Sequence, residues 1–426
     1  MICIVHGIFP IRPALVFLLI YLTGCAVLAP HRPGIGDAVS WKALPGWETD
    51  RHAEGWPAFL QSCRRLEDGD RRWRALCAEA RALEGPGDGR TRAFFEAHFT
   101  PHLLWDDDGD REGLITGYYE PVLEGSRVRT PVFRYPVYGE PKDLLTMAPG
   151  GGVTDRKERA PRGRLADDGR VIPYFSRAEI HGTREPLKGN EIAWVHDPVA
   201  LFFLHIQGSG RIQLRDGTLL GLEYANRNGH PYVSIGRVLI ENGAIAPEEM
   251  SMQAIRDWLR ANPHRLDETL NCNPSYIFFA ERHTEDGNPA GSLGVPLTPR
   301  RSIAVDAGFI PPGLPVWMDT TLPGEKGQAK KGKQAAQGAV FRRLVFAQDT
   351  GSAIRGPVRA DLFWGSCRRT EDYGPPSRAP PSTAGDKPLV MEKAVIEGVI
   401  EGSCAARYYA GRMRQRGRLY VLLPRE

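Results

Sequence analysis

The stretch AQDTGSAIRGPVRADLFWG, residues 347–365, carries the densest functional signal in the chain. Its two carboxylates, Asp349 and Asp361, are twelve residues apart, and the glycines between them permit tight backbone turns. Asp361 precedes the apolar run Leu362–Trp364, where burial would raise the pKa of its carboxyl and keep it protonated as a general acid. The aromatic rings of this run also suit stacking against a sugar. The alternative is a pair of turn-capping aspartates in a β-rich domain.

Two shorter runs upstream are candidates for a ligand-binding groove. Residues 116–121 (TGYYEP) place two tyrosines after a glycine, which fits either a saccharide groove or a core in which one hydroxyl reaches water. Residues 206–211 (IQGSGR) fit either a close backbone approach to a ligand or a plain tight turn. The candidate substrate contacts are therefore Tyr118, Tyr119, Glu120, Gln207, Ser209 and Trp364.

The pattern of the chain predicts a mainly β protein with N-terminal helices. Residues 55–100 show the three- and four-residue apolar spacing of helices, whereas short β-type runs separated by Gly, Pro and Asp dominate from residue 114 onward. Asp197-Pro198 predicts the start of a helix over 199–205, and apolar spacing predicts another over 247–262. The strand candidates are Leu114–Tyr119, Ile212–Leu214, Thr218–Tyr224, Ser302–Asp306, Pro315–Met318, Arg343–Phe346 and Leu419–Leu423.

Several chemistries are disfavoured by what the sequence lacks. It contains no Gly-rich phosphate loop, no H-E-x-x-H motif and no G-x-S-x-G motif. Its histidines at the centre of the chain occur singly, so neither a metal nor another cofactor is expected. A formal net charge of +4 over 426 residues does not indicate nucleic-acid binding.

The N-terminus has the pattern of a lipoprotein export signal. The apolar stretch Ala14–Gly24 is shorter than the roughly 20 residues of a transmembrane helix. Its ending, LTGC, resembles a bacterial lipobox, in which the cysteine, here Cys25, is lipidated; an ordinary signal peptide without lipid is the alternative. We expect a signal peptide over 1–24 and a tether over 25–50. Because Ala26 rather than aspartate follows the cysteine, we expect attachment to the periplasmic face of the outer membrane.

Export would place the five cysteines downstream of the lipobox in an oxidising compartment. Cys63 and Cys77 are fourteen residues apart in the helical region, and Cys367 and Cys404 bracket a Pro-rich segment. Either pair is a disulfide candidate, and the odd number leaves at least one thiol free. The sequence decides neither pairing, nor the role of the insertion over 368–403.

The motifs together resemble a known family, that of membrane-bound lytic murein transglycosylase A with its C-terminal 3D domain. The resemblance covers about residues 113–426; residues 26–112 are weakly covered, and 368–403 is longer than the family's usual connection. The runs that carry it, in order, are GYYEP (117–121), HGTREPLKGNEIAWVHDPVALFFLHIQGSGRIQL (181–214), GHPYVSIGRVLI (229–240), NPSYIFF (273–279), GSLGVPLTPRRSIAVD (291–306) and AQDTGSAIRGPVRADLFWG (347–365).

The resemblance implies a fold and a domain order. The family folds as a double-psi β-barrel that is interrupted in sequence by a second β-rich domain, with the glycan groove between the two. We accordingly expect the first part of the barrel domain, with the helices, over 51–132. An inserted β-rich domain should follow over 133–269, and the second part of the barrel domain, carrying the catalytic aspartate, over 270–426.

The resemblance also implies a reaction. The family consists of lytic exotransglycosylases, lyases that cut the β-1,4 bond between N-acetylmuramic acid and N-acetylglucosamine in peptidoglycan and leave 1,6-anhydromuramyl ends. Its catalytic aspartate matches Asp361 and its supporting aspartate matches Asp349. Because the sugar's own C6 hydroxyl replaces water, one carboxyl suffices as acid and then as base. The expected partners are peptidoglycan glycan strands, the outer membrane through the lipid anchor, and other cell-wall enzymes.

Two other functions are compatible with the same residues. An ordinary barrel-type glycoside hydrolase would need a second carboxylate facing Asp361 across a water molecule. A non-catalytic, expansin-like peptidoglycan-binding lipoprotein would keep the aromatic groove without needing the acid.

Overall fold

The computed structural model describes residues 33–147, 161–282, 287–323, 338–351, 353–366 and 405–425. Each strand candidate named above overlaps a strand in the structure. The strands are β1 (Gly34–Ala38), β2 (Phe99–Trp105), β3 (Gly113–Glu120), β4 (Val122–Ser126), β5 (Tyr135–Tyr138), β6 (Leu145–Thr146), β7 (Arg162–Leu165), β8 (Val171–Pro173), β9 (Glu191–Val195), β10 (Gly210–Leu214), β11 (Leu219–Arg227), β12 (Ile277–Arg282), β13 (Ser302–Val305), β14 (Pro315–Thr321), β15 (Val340–Thr350), β16 (Arg359–Ser366) and β17 (Arg414–Pro424).

Of the helices in the described residues, three lie in the first quarter of the chain, five lie between residues 177 and 271, and one precedes the last strand. They are α1 (Trp56–Leu66), α2 (Arg71–Ala82), α3 (Asp88–His98), α4 (Arg177–Ile180), α5 (Pro198–Gln207), α6 (Ile235–Glu241), α7 (Met252–Ala261), α8 (Leu266–Asn271) and α9 (Ala405–Ala410). Short 3₁₀ turns occupy Trp41–Ala43, Trp47–Thr49, His52–Gly55, Pro247–Glu249 and Pro263–Arg265.

The two helix starts predicted from sequence had different outcomes. Asp197 caps α5 as expected, since its side chain accepts hydrogen bonds from the backbone N–H groups of the next turn. The helix predicted over 247–262 is wrong at its start, because residues Pro247–Glu249 form a separate 3₁₀ turn. Ser251 is extended and its hydroxyl accepts from the N–H of Ala254, so α7 begins only at Met252.

Six strands form a closed barrel. β17, β14, β15, β13, β16 and β3 pair in that order, and β3 pairs back with β17. The β15–β13 and β16–β3 pairs are parallel, and the other four pairs are antiparallel. β3 ends at Glu120, whereas the other five strands begin at Ser302 or later, so the barrel is assembled from two separate parts of the chain.

A second sheet of six strands is built from the segment between those parts. Its order is β12-β11-β10-β4-β9-β5, and a small sheet of β6, β7 and β8 lies beside it in sequence. β4 and β12 belong to this sheet although they lie outside the expected limits of 133 and 269. The reason is that β4 pairs with β10 directly after β3 ends, with Val122 opposite Arg211. The sheet therefore spans Val122 to Arg282, while the division into domains stays a prediction.

The helices pack on the barrel through aromatic side chains. Phe59 of α1 lies with its ring centroid 5.1 Å from that of Phe95 of α3 and 6.0 Å from that of Phe346 of β15. Cys63 and Cys77 form a disulfide that joins α1 to α2. Cys272 is an exposed free thiol, whereas Cys25 and the Cys367–Cys404 pair lie outside the described residues.

The described residues contain neither a candidate membrane span nor a candidate metal cluster. No helix among them is both long and apolar enough to cross a bilayer. They also contain no group of three or more His, Cys, Asp or Glu side chains arranged to hold a metal ion.

Candidate active site

Asp361 lies on β16, a strand paired on both sides. Its neighbours in register are Ala304 of β13 and Thr116 of β3. Strand pairing on both sides therefore holds the Cα atom of Asp361, from which the carboxyl group projects, in a fixed position. The hydroxyl of Thr116 donates a hydrogen bond to Asp361 Oδ1 at 2.7 Å. Among the described residues no hydrogen bond reaches Oδ2, which leaves that oxygen able to meet a ligand.

The surroundings of Asp361 favour its protonated form. Burial raises the pKa of this carboxyl to about 6, against the opposing effects of Arg359 and the Thr116 hydrogen bond, and nearby Asp349 adds to the increase. A carboxyl with this pKa keeps a useful protonated fraction near neutral pH, which is what a general acid requires.

Asp349 lies near the end of β15 and is held by three hydrogen-bond donors. Its Oδ1 accepts from the N–H groups of Ser292 and Thr350, both at 2.9 Å, and its Oδ2 accepts from the Tyr118 hydroxyl at 2.8 Å. Burial raises the pKa of Asp349 despite these bonds. Burial and the charge of Asp349 also raise the pKa of Tyr118 well above its ordinary value, so the phenol stays a donor. Asp349 is thus held in place near Asp361, and each of its carboxylate oxygens accepts at least one hydrogen bond from the protein.

A third aspartate, which motif analysis missed, shapes the loop between β15 and β16. Asp306 directly follows β13 and is buried; its Oδ2 accepts from the N–H of Gly356 at 3.1 Å and its Oδ1 from that of Gly308 at 3.0 Å. Gly356 has φ of 96°, a left-handed conformation that favours glycine. An aspartate directly after a strand and two residues before a glycine was the available sequence signal.

A cleft of about 280 Å³ is lined by Asp349 and Asp361 on its barrel side. The opposite wall comes from α4, the end of α5, the segment before α6 and the chain leading into β12. Ile206 and Tyr232 in that wall are 39% and 41% exposed, and an accessible tyrosine ring is suited to stacking against a sugar. The lining residues of the opposite wall are Arg177, His205, Ile206, Gln207, Tyr232, Asn273, Ser275 and Ile277.

Arg177 and His205 form a buried pair in this opposite wall. Arg177 donates to the carbonyls of Asn273 and Ser275 at 3.0 and 2.6 Å. Its Nη1 donates to His205 Nδ1 at 3.1 Å. Burial lowers the pKa of Arg177 to about 10, so the guanidinium remains charged at neutral pH. Burial and that positive charge hold the pKa of His205 well below its usual value, so the imidazole is neutral. This wall offers contacts but no carboxylate for proton transfer.

Comparison with known proteins identifies the family. Two family models match the chain, the MltA specific insert domain over residues 114–280 and the 3D domain over residues 301–377. The crystal structure of MltA from Neisseria gonorrhoeae is 32% identical, with 93% of this chain and 96% of that chain covered and a TM-score of 0.69. The chain belongs to the MltA family of lytic murein transglycosylases.

Two further relatives have similar identity. The lytic transglycosylase LtgG of Burkholderia pseudomallei is 36% identical, covering 93% of this chain and 97% of that chain with a TM-score of 0.54. The membrane-bound lytic murein transglycosylase A of Vibrio cholerae is 34% identical over 261 residues, which are 60% of this chain and 61% of that relative. The chain therefore spans about 61% of the length of this curated relative.

Within this MltA-type cleft, four of the residues singled out from sequence come together. Asp361, Asp349, Tyr118 and Gln207 all line it. The side chain of Gln207, on the opposite wall, contacts the barrel wall, since its Oε1 accepts a hydrogen bond from the backbone N–H of Tyr119 on β3 at 2.9 Å. The barrel is in this way tied to the end of α5 beside the acid.

The other candidate contacts lie outside the cleft lining. Glu120 is fully buried, where it pairs with Arg211 at 2.9 Å and with Arg282. Tyr119 is buried and its backbone N–H donates to Gln207, while Ser209 directly follows Gly208, the cap of α5. Glu120 and Tyr119 therefore pack inside the protein beside the cleft.

Trp364 also lies in the core. Its ring stacks on that of Tyr409 with centroids 4.7 Å apart and planes 16° apart. It fills the space beside Gly117, where an added Cβ would come within 2.5 Å of Trp364 Nε1. Side chains alternate along a strand, so with Asp361 facing the cleft the ring of Trp364 belongs to the other face. We therefore leave Trp364 out of the sugar contacts proposed below.

Proposed function

We propose that this chain is a lytic exotransglycosylase that cleaves the β-1,4 bond between N-acetylmuramic acid and N-acetylglucosamine in peptidoglycan without water. The observation that carries the proposal is one carboxyl with a pKa of about 6 beside a second carboxylate whose oxygens are both occupied. A retaining hydrolase needs a free carboxylate nucleophile, and an inverting one needs a free carboxylate base. Asp349 is poorly suited to either task, so Asp361 is left to act alone.

The reaction then has two proton transfers on one residue. Protonated Asp361 gives its proton to the glycosidic O4 as the bond to the muramyl C1 breaks, which creates an oxocarbenium-like centre at C1. The resulting carboxylate accepts the proton of the muramyl C6 hydroxyl while O6 bonds to C1. The products are a glycan with a free O4 hydroxyl and a 1,6-anhydromuramyl end, and Asp361 is protonated again. Asp349 orients Tyr118 and adds to the rise in the pKa of Asp361 that burial mainly causes.

Incubation of purified sacculi with the enzyme in ¹⁸O-labelled water tests this function. Mass spectrometry should find 1,6-anhydromuramyl ends that carry no label, because no water enters the bond. Label at the muramyl anomeric carbon would make the protein an ordinary glycoside hydrolase. Binding without any cleavage would support the non-catalytic, expansin-like alternative.

The proposal also covers the type of barrel, the domain order and the roles of individual residues, which the family assignment does not give. We propose a double-psi barrel, supported by a closed ring of six strands with two parallel pairs, and the domain order given above. We propose Asp361 as catalytic and Asp349 as its supporting residue. Tyr118, Gln207, Ile206 and Tyr232 are the proposed sugar contacts, supported by their places in the cleft lining.

We propose that Cys25 is lipidated and anchors the enzyme to the periplasmic face of the outer membrane. Support comes from the lipobox-like ending of the signal and from the relatives that are named membrane-bound. The substitution Cys25→Ala should leave uncleaved or mislocalised precursor in membrane fractions. A normally processed, fully soluble periplasmic form of the wild-type protein would contradict the anchor.

A further inference from the structure

Arg359 is the first residue of β16 and lies two positions before Asp361. Alternate residues of a strand share a face and are separated by about 6.6 Å, twice the rise per residue. Both side chains line the cleft, as this spacing requires. The strand therefore presents a cation and an acid side by side at a fixed separation.

The guanidinium of Arg359 is only partly used by the protein. Its Nη1 donates to the carbonyl of Leu114 at 3.2 Å and to that of Ala360, which fixes the group against β3 and β16. Among the described residues neither Nε nor Nη2 has a hydrogen-bond partner, and no carboxylate forms an ion pair with the group. Burial lowers the pKa of Arg359 and Asp361 opposes the effect, so the group remains charged.

The other cation of the described cleft lining is not available in the same way. Arg177 is 1% exposed, and its Nε, Nη1 and Nη2 already donate to two carbonyls and an imidazole. A ligand carboxylate in this cleft would also meet repulsion from Asp349. Only a cation with free donors can offset that repulsion, and within the described lining this points to Arg359.

We propose that Arg359 binds the carboxyl group of the lactyl substituent on the muramyl sugar whose bond is cleaved, and so selects muramyl over glucosaminyl sugars at that position. The inference rests on the proposed function. The lactyl ether is attached to C3, and the scissile bond to C1, of one ring. The proposal places the glycosidic oxygen at Asp361 and the C3 side of the same ring toward Arg359, whose Nε and Nη2 form a planar fork suited to a carboxylate. N-acetylglucosamine has a plain hydroxyl at C3 and offers Arg359 no such partner.

The test is a comparison of two ligands in the Asp361→Asn background. This background prevents cleavage, and it also removes the effect of Arg359 on the pKa of Asp361, so that binding alone is measured. Calorimetry would give Kd for a peptide-free tetrasaccharide of alternating N-acetylglucosamine and N-acetylmuramic acid, and for chitotetraose. Arg359→Gln should weaken the muramyl ligand about 10- to 100-fold, as expected for a hydrogen-bonded charged group, and change chitotetraose less than twofold.

Two further variants control the comparison. Arg355→Gln removes the same charge from an exposed position outside the cleft lining and should leave both Kd values unchanged. Arg359→Lys keeps the charge without the fork and should give an intermediate preference, which also covers the case that the glutamine variant folds poorly. Equal weakening of both ligands, or of neither, would overturn the assignment. The ¹⁸O experiment tests the proposed reaction separately. If the wild-type enzyme incorporates ¹⁸O but the preference for the muramyl ligand still depends on Arg359, the proposed reaction is refuted and the inference about Arg359 is supported.

Discussion

The two walls of the cleft differ in what their polar groups can do. On the barrel wall, Asp361 and Asp349 have raised pKa values and defined hydrogen-bond donors. On the opposite wall, the buried charge of Arg177 is satisfied by carbonyls and a neutral imidazole, and the exposed groups are Ile206 and Tyr232. The difference indicates that proton transfer belongs to the barrel and that the opposite wall supplies contact area.

The difference follows from how each wall is built. Barrel residues project from strands that are hydrogen-bonded on both sides, so an acid there keeps its position relative to its neighbours. Residues of the opposite wall lie at a helix end and in connecting segments, which can adjust to a bound strand of sugar. Substitutions on the two walls should therefore change different kinetic constants.

The largest effect is expected from Asp361→Asn. The change keeps the volume but removes the transferable proton, so kcat should fall by about 10²–10⁴-fold or more while KM for a soluble muramyl tetrasaccharide stays within a few fold. Steady-state release of anhydromuramyl products measures both constants. A near-normal kcat for this variant would contradict the proposal that Asp361, on the barrel wall, transfers the proton.

The second effect concerns the pair that supports the acid. Asp349→Asn and Tyr118→Phe each break the same 2.8 Å hydrogen bond, and each should lower kcat by up to about tenfold, less than the loss of Asp361. Because the two changes share this interaction, the double variant should lose less than the product of the two single effects; Asp349→Asn, which also removes the charge that adds to the pKa of Asp361, should account for most of the loss. Full additivity in this double-mutant cycle would show that the two residues act independently.

Sequence reasoning predicted the raised pKa of Asp361, the proposed acid, because the cause of that shift is local. The run Leu362–Trp364 after Asp361 indicates burial, and the pKa of about 6 agrees with that expectation. The polar–apolar alternation of residues 359–362 marks the cleft face, but residues 363–365 are apolar or small and buried on both faces, so the run Leu362–Trp364 taken by itself did not show on which face Trp364 lies. Trp364 was for that reason taken as a sugar contact although its ring lies in the core.

Interactions between distant residues were also beyond the sequence. Glu120 looked like a groove residue, but its partners Arg211 and Arg282 lie 91 and 162 residues away along the chain. The strands that were missed have weak local patterns: β5 contains a proline, and β16 begins with arginine and ends beside a glycine. The barrel and its closure follow from pairing between two chain segments, which periodicity within one segment does not encode.

The third effect lies on the opposite wall. Tyr232→Ala should raise KM for the tetrasaccharide about three- to tenfold and leave kcat unchanged, because a stacking contact serves the ground state and the transition state alike. Trp364→Phe is the matched control: it trims a buried aromatic ring and should lower the melting temperature without changing KM. If Trp364→Phe raised KM as much as Tyr232→Ala, the assignment of Trp364 to the core face would be wrong.

The smallest effect concerns Thr116, which changes the pKa of Asp361 without taking part in proton transfer. Its hydroxyl donates to Asp361 Oδ1 and favours the ionised carboxylate, so Thr116→Val should raise the pKa of Asp361 above its present value of about 6. Activity requires the protonated form, and kcat falls as pH rises through this pKa. The alkaline limb of the kcat profile should therefore move upward by about 0.7 pH unit, as expected for the loss of a hydrogen bond worth about 1 kcal/mol, and kcat at pH 7 to 8 should increase about three- to fivefold.

Thr116→Ser keeps the hydroxyl and should leave the limb in place. Arg359 and Asp349, which also face Asp361, are unchanged in both variants, so the difference between them isolates one hydrogen bond. A limb that moves downward in the valine variant would mean that the hydroxyl stabilises the protonated acid. The carboxyl of Asp361 would then donate to the Thr116 hydroxyl, opposite to the direction in the structure, and the hydroxyl would add to burial in raising the pKa of Asp361.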